Sequence, residues 1–231
     1  MKKLFYLMMT ALLVLCAVSC KKEKKDSTFG VDGYTPLPKA IDIGCVVNGH
    51  KVLWASCNLG ASKEWEYGNF YAWGETDAKI DFTEGNYTYK DNPAVLPLNK
   101  DAANVHLGGK WRIPTFEDFQ ALRALEGDSD YTFERYLKYG NNVKDAAGQD
   151  VYGLRITRTS TGATLFIPAA GYYTGTEYIT DPEGNDGAYW TSTLNTGNPA
   201  NAVDMLLGSA FGTSPISERF NGDSIRPVCE E

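Results

Sequence analysis

The chain has 231 residues, 43% of them hydrophobic and 22% charged, with a formal net charge of −7. That length and apolar content suit one hydrophobic core. The acidic balance excludes the basic face that a nucleic-acid partner requires.

At the N-terminus, Lys2 and Lys3 precede an apolar run from Leu4 to Val14, and Ala17-Val18-Ser19-Cys20 closes the segment with small residues. The run is shorter than the ~20 apolar residues of a membrane-spanning helix. The segment resembles a bacterial lipoprotein signal, in which residues 1–19 are removed and Cys20 becomes the lipid-bearing first residue. Bulky Leu15 disfavours the same processing at Cys16. Losing Lys2 and Lys3 and no acid takes the formal charge from −7 to −9. The expectation is an acidic body anchored by lipid in the cell envelope, at the outer membrane, with the side of the membrane left open. Residues 20–38 read as a linker without periodicity, whose Lys21, Lys22, Lys24 and Lys25 would lie near lipid headgroups.

Residues 39–231 read as one domain. "AIDIGCV" and "KVLWASCNLG" flank Asn48-Gly49, a strong hairpin signal. Residues 61–100 are irregular and rich in aromatics. Asp101 to Leu107 predicts one or two helical turns, and Thr115 opens the main helix over 115–126, with Asp118 at capping-box spacing. A further helix is expected from Tyr131 to Tyr139. "YGLRITRT" and "ATLFIPAAG" form a hairpin across Ser160-Thr161-Gly162. "AYWTSTL", "NAVDMLL" and "SIRPVC" read as later strands separated by long polar loops, a length that in a compact domain marks either function or floppiness.

Six ordered motifs are "LWASCNLGA" (53–61), "EYGNFYAWGET" (66–76), "GGKWRIPTFEDFQAL" (108–122), "FIPAAGYY" (166–173), "YWTSTLN" (189–195) and "SIRPV" (224–228). Together they resemble the Fibrobacter succinogenes major paralogous domain, a family of exported bacterial proteins. The resemblance implies an α+β, C-type-lectin-like fold of small twisted antiparallel sheets, one or two main helices and long loops. It gives Trp111, Arg112 and Pro114 an architectural role, with Arg112 held by nearby carboxylates or carbonyls. Arg226 is read in the same way, and Trp54, Trp111 and Trp190 as core tryptophans.

"WRIPTFEDF" is also similar to a signature of the formylglycine-generating enzymes. Their oxidase activity is not expected here, because no cysteine lies between Cys57 and Cys229. Cys45, Cys57 and Cys229 leave at least one thiol free, with the pairing open. Their spacing and the scattered His50 and His106 make no zinc site. Both histidines read as surface or hydrogen-bonded structural residues. No nucleophile elbow or phosphate loop is present, so neither catalysis nor a cofactor is expected. Glu75, beside Trp73, is the best single catalytic carboxylate, with a loop hydrogen bond or an arginine pair as its alternative role.

Binding is the stronger expectation. Loops 172–188, 195–200 and 208–223 offer Tyr172, Tyr173, Tyr178, Asp181 and Asp186, with Trp73 and Glu75 nearby, and such groups suit a glycan or peptide. Asp181, Glu183, Asn185 and Asp186 raise the question of calcium, although the sugar-binding lectin signatures are absent. A glycan-acting enzyme on the same scaffold and a subunit of a surface or fimbrial assembly are the alternatives.

Overall fold

The computed structural model describes residues 28–181, 186–208 and 211–231. In chain order it forms β1 (Ala40–Val47), β2 (His50–Ala55), β3 (Phe70–Tyr71), α1 (Ala102–Leu107), α2 (Phe116–Ala124), β4 (Tyr131–Lys138), β5 (Tyr152–Arg158), β6 (Ala163–Pro168), β7 (Tyr172–Thr174), β8 (Glu177–Ile179), β9 (Gly187–Leu194), β10 (Asn201–Leu207), β11 (Gly212–Glu218), β12 (Asp223–Ser224) and β13 (Val228–Glu230). The fold is sheet-rich with few helices. None of the described helices is long and apolar enough to cross a membrane. Cys20, Glu183 and Asn185 lie outside the described residues.

Asn48 and Gly49 take φ values of 51° and 83°. This left-handed pair is what a two-residue hairpin turn needs, and it folds β1 onto β2. β13 pairs with the other side of β2, so the first and last strands share one sheet. A five-stranded sheet, ordered β11-β10-β9-β12-β3, forms the centre, and β4-β5-β6 and β7-β8 form two smaller sheets.

Alternation along β9 explains why there are two cores. Tyr189 faces a cluster with Trp54, Phe119, Ile156, Met205 and Val228. Trp190 faces another with Tyr71, Trp73, Phe82, Tyr87 and Tyr89. Successive strand residues point to opposite faces, so the central sheet has apolar material on both sides. The irregular, aromatic segment 61–100 supplies much of the second cluster.

The Trp-Arg-Ile-Pro stretch joins these layers. The Arg112 and Val228 backbones exchange hydrogen bonds of 2.9 Å each way. Ile113 is buried, and its N–H donates to Asp101 Oδ2 at 2.8 Å. The buried Pro114 accepts from the Ser192 N–H at 2.8 Å. Thr115 then caps α2 through the expected reciprocal box with Asp118. Arg112 pairs with the buried carboxylate of Asp118 and, at 2.9 Å, with Glu230. Trp111 departs from the expectation of a core tryptophan: it is only partly buried and packs against the edge of the second cluster.

Other expectations are corrected. Residues 131–138 form a strand, and their burial alternates strictly. Tyr131, Phe133 and Leu137 follow a period of two, and a register shift between Glu134 and Leu137, with Tyr136 at φ 54°, absorbs the irregularity. Residues 172–174, 177–179 and 212–218 are strands within the expected loops. Residues 28–38, expected to be linker, dock on the domain. Gly30 bonds to Thr35, Leu37 packs against the second cluster, and Asp32 Oδ2 meets His106 Nδ1 at 2.9 Å. The second ring nitrogen of His106 meets Thr76 O at 2.7 Å, so this histidine ties the N-terminal segment to the 61–100 region.

Candidate functional site

Three strands of the central sheet end at a cleft of about 700 Å³. Its walls come from Tyr172 and Thr174 of β7, Asp186, Gly187 and Ala188 at the start of β9, Asp204 and Leu206 of β10, Ser214, Ile216 and Ser217 of β11, and Asn221 and Asp223. Register places Leu206 opposite Ala188 and Asp204 opposite Trp190. The register shifts between Ala202 and Asp204 on both sides of β10, the kind of bulge that re-aims a side chain.

Asp204 is 3% exposed. Its Oδ1 accepts from the Ser214 N–H at 3.2 Å, and its Oδ2 accepts from the Ser217 hydroxyl. Asp223 is 1% exposed, and its Oδ2 accepts no hydrogen bond among the described residues. The buried Oδ1 of Asn221 is likewise unpartnered there. Burial pushes the Asp223 carboxyl far above the usual range, and the negative charge of Asp204 adds to that. Burial also raises Asp204, against its hydrogen bonds to Ser217 and Ser214. Asp186 is raised by burial and then by Asp181.

These shifts carry a sign. An acid whose folded-state pKa lies above its unfolded value binds more protons when folded, so stability falls as pH rises through that interval. Asp101, pushed up to about 6 by burial, acts in the same direction. Asp32 acts oppositely: its hydrogen bonds to Thr35, Tyr34 and His106 outweigh burial and hold it at about 2, so its contribution is lost only in strong acid. The expected result is a melting temperature higher at pH 5 than at pH 7.5. Asp204→Asn and Asp223→Asn should flatten that slope; a slope unchanged in both variants would remove these carboxylates as its source.

The expected ligand residues separate. Tyr172 and Asp186 line the cleft, and Asp181 lies close enough to Asp186 to act on its charge. Tyr173 instead packs its ring 5.0 Å from Phe70 and 5.4 Å from Phe82. Tyr178 donates to Ala170 O at 2.7 Å and lines a second cleft of about 620 Å³ with Trp65, Tyr67 and Phe70. Trp73, expected on the ligand face, is 1% exposed in the core, with its indole N–H on Thr191 O at 2.9 Å. Glu75 takes its alternative role: it accepts from the Thr88 N–H and hydroxyl and pairs with Lys79 at 2.7 Å.

Among the described residues Cys45, Cys57 and Cys229 are free and buried, and burial raises each thiol, Cys45 to about 12. Thiols held so far above neutrality are poor nucleophiles. Among the described residues no group of three His, Cys, Asp or Glu side chains is placed to hold a metal ion.

No family model, no curated protein and no solved structure matches the chain.

Proposed function

We propose that this is a lipid-anchored envelope protein, with Cys20 as the lipidated residue, that binds a glycan or peptide in the cleft lined by Tyr172, Asp186, Asp204 and Asp223. The observation that carries this reading is the buried Asp223 Oδ2, without a hydrogen-bond partner among the described residues, on a residue that lines the cleft of about 700 Å³. Buried polar atoms normally have partners, and one left without one at a cleft wall is costly unless a ligand satisfies it. The six ordered motifs support membership of the Fibrobacter succinogenes major paralogous family and its C-type-lectin-like architecture. So does the meeting of the first and last strands in one sheet. A second reading, glycan hydrolysis, draws on Asp204 and Asp223 lining one cleft. Binding is favoured over it because Asp204 is tied to Ser214 and Ser217 and both acids are buried.

The test is a glycan and peptide array probed with the full-length protein in detergent, alongside a Tyr172→Ala/Asp186→Ala variant. The variant should melt within a few degrees of wild type and bind at least tenfold more weakly. A silent array, or unchanged binding by the variant, would overturn the reading.

A further inference from the structure

We infer that the group this cleft takes is an organic cation: the ammonium or guanidinium of a lysine or arginine side chain on a peptide. The inference rests on the binding reading above and deepens it.

The first argument is the kind of atom left without a partner. Asp223 Oδ2 and Asn221 Oδ1 are both acceptors. A ligand that satisfies them brings donors, and an ammonium brings three while a guanidinium brings five. The second argument is charge. Asp186, Asp204 and Asp223 line the cleft, and among the described residues no lysine or arginine does. Arg219, close in sequence, points away: its guanidinium lies 4.7 Å from the Trp73 ring and donates to Tyr89 O and Asp91 O. A neutral sugar would satisfy the acceptors but would not offset the burial and the Asp204 charge that oppose ionisation of Asp223, whereas a cation does both and favours the carboxylate form.

Size and shape give the third argument. Among the described residues no group of three acids is placed to hold a metal ion, and a cleft of about 700 Å³ is far larger than one ion needs. Leu206, Ile216 and Ala188 supply apolar wall for a methylene stem, and the Tyr172 ring offers a face for the charged head. Buried carboxylates in a cleft that also has apolar wall suit a long side chain that ends in a cation.

The experiment uses full-length protein in detergent and isothermal titration with three probes: an end-blocked tripeptide with a central lysine, the same peptide with that lysine acetylated, and a neutral oligosaccharide. The lysine peptide should bind at least tenfold more tightly than the acetylated one. Asp223→Asn and Asp186→Asn should each weaken it at least fivefold. Melting curves check folding, and Asp186, less buried than Asp223, keeps the test valid if Asp223→Asn fails to fold. If the acetylated peptide or the oligosaccharide binds as tightly as the lysine peptide, and Tyr172→Ala weakens that binding, the cation inference fails and the binding reading stands. Calcium saturating at one ion per chain, and lost in Asp223→Asn, overturns the inference in favour of a metal. If no probe binds, or cleft substitutions leave binding unchanged, both fall.

Discussion

Trp190→Ala is expected to lower the free energy of unfolding by about 5 kcal/mol, through a core cavity and an orphaned carbonyl. Trp190 is 1% exposed on β9 and fills the second cluster from the central sheet. Its indole N–H donates to Tyr71 O at 2.7 Å, which joins β9 to the aromatic segment. Nearby rings are fixed by bonds of their own, so collapse into the cavity is restricted: Trp73 is held by Thr191 O, and Tyr87 by Trp73 O at 2.8 Å. For a domain of this size the melting temperature should fall by more than about 10 °C. Chemical denaturation checks the figure, and a loss below about 2 kcal/mol would mean that the aromatic cluster repacks. Trp111→Ala, at the edge of the same cluster, should cost clearly less.

That contrast marks how far the sequence could be read. Trp54, Trp111 and Trp190 were all read from the sequence as core tryptophans. What separates them is long-range packing: Trp190 lies between two layers that meet only after folding, while Trp111 precedes the strand residue that pairs with Val228. Local signals were sufficient where the physics is local, as at the Asn48-Gly49 turn and the Thr115–Asp118 cap. Residues 131–138 failed for the opposite reason. Their alternation was hidden by Arg135-Tyr136, where a charged residue takes the half-buried position and an aromatic the exposed one, so the hydrophobic pattern does not read as a period of two.

The candidate cleft was half visible. Loops 172–188 and 208–223 do line the cleft, and Tyr172 and Asp186 belong to it. Asp204 and Asp223 were missed although a signal existed: Asp204 interrupts the apolar "NAVDMLL", and a carboxylate inside a buried strand is rare without a reason. The convergence of β10 with β12 requires the strand order of the sheet, in which β12 lies parallel to β9. No spacing in the sequence encodes that. Arg219 was missed for the same reason, since its cage of Trp73, Tyr87 and Tyr89 comes from a segment about 130 residues away.

Arg226 was legible as architectural, but its partners are not those that a buried arginine usually finds. It is 0% exposed, and its Nε donates to Asn58 Oδ1 at 2.8 Å and one Nη to Ala55 O at 3.0 Å. No carboxylate pairs with it among the described residues, and burial lowers its pKa from the usual arginine value. Two opposed effects therefore meet in one side chain. Its hydrogen bonds fix Asn58, which also donates to Tyr67 O at 2.8 Å and to the Tyr189 hydroxyl at 3.1 Å. Its charge, buried without a counter-ion, opposes folding. Arg226→Ala should destabilise by about 4 kcal/mol, because it opens a cavity and orphans Ala55 O and Asn58 Oδ1. Arg226→Met separates the two effects, since it keeps the apolar stem and removes the charged head. If the hydrogen bonds dominate, it should still cost about 2 kcal/mol from the two orphaned acceptors. A methionine variant as stable as wild type would show that the charge is a net cost, and Arg226 would then need a reason other than architecture.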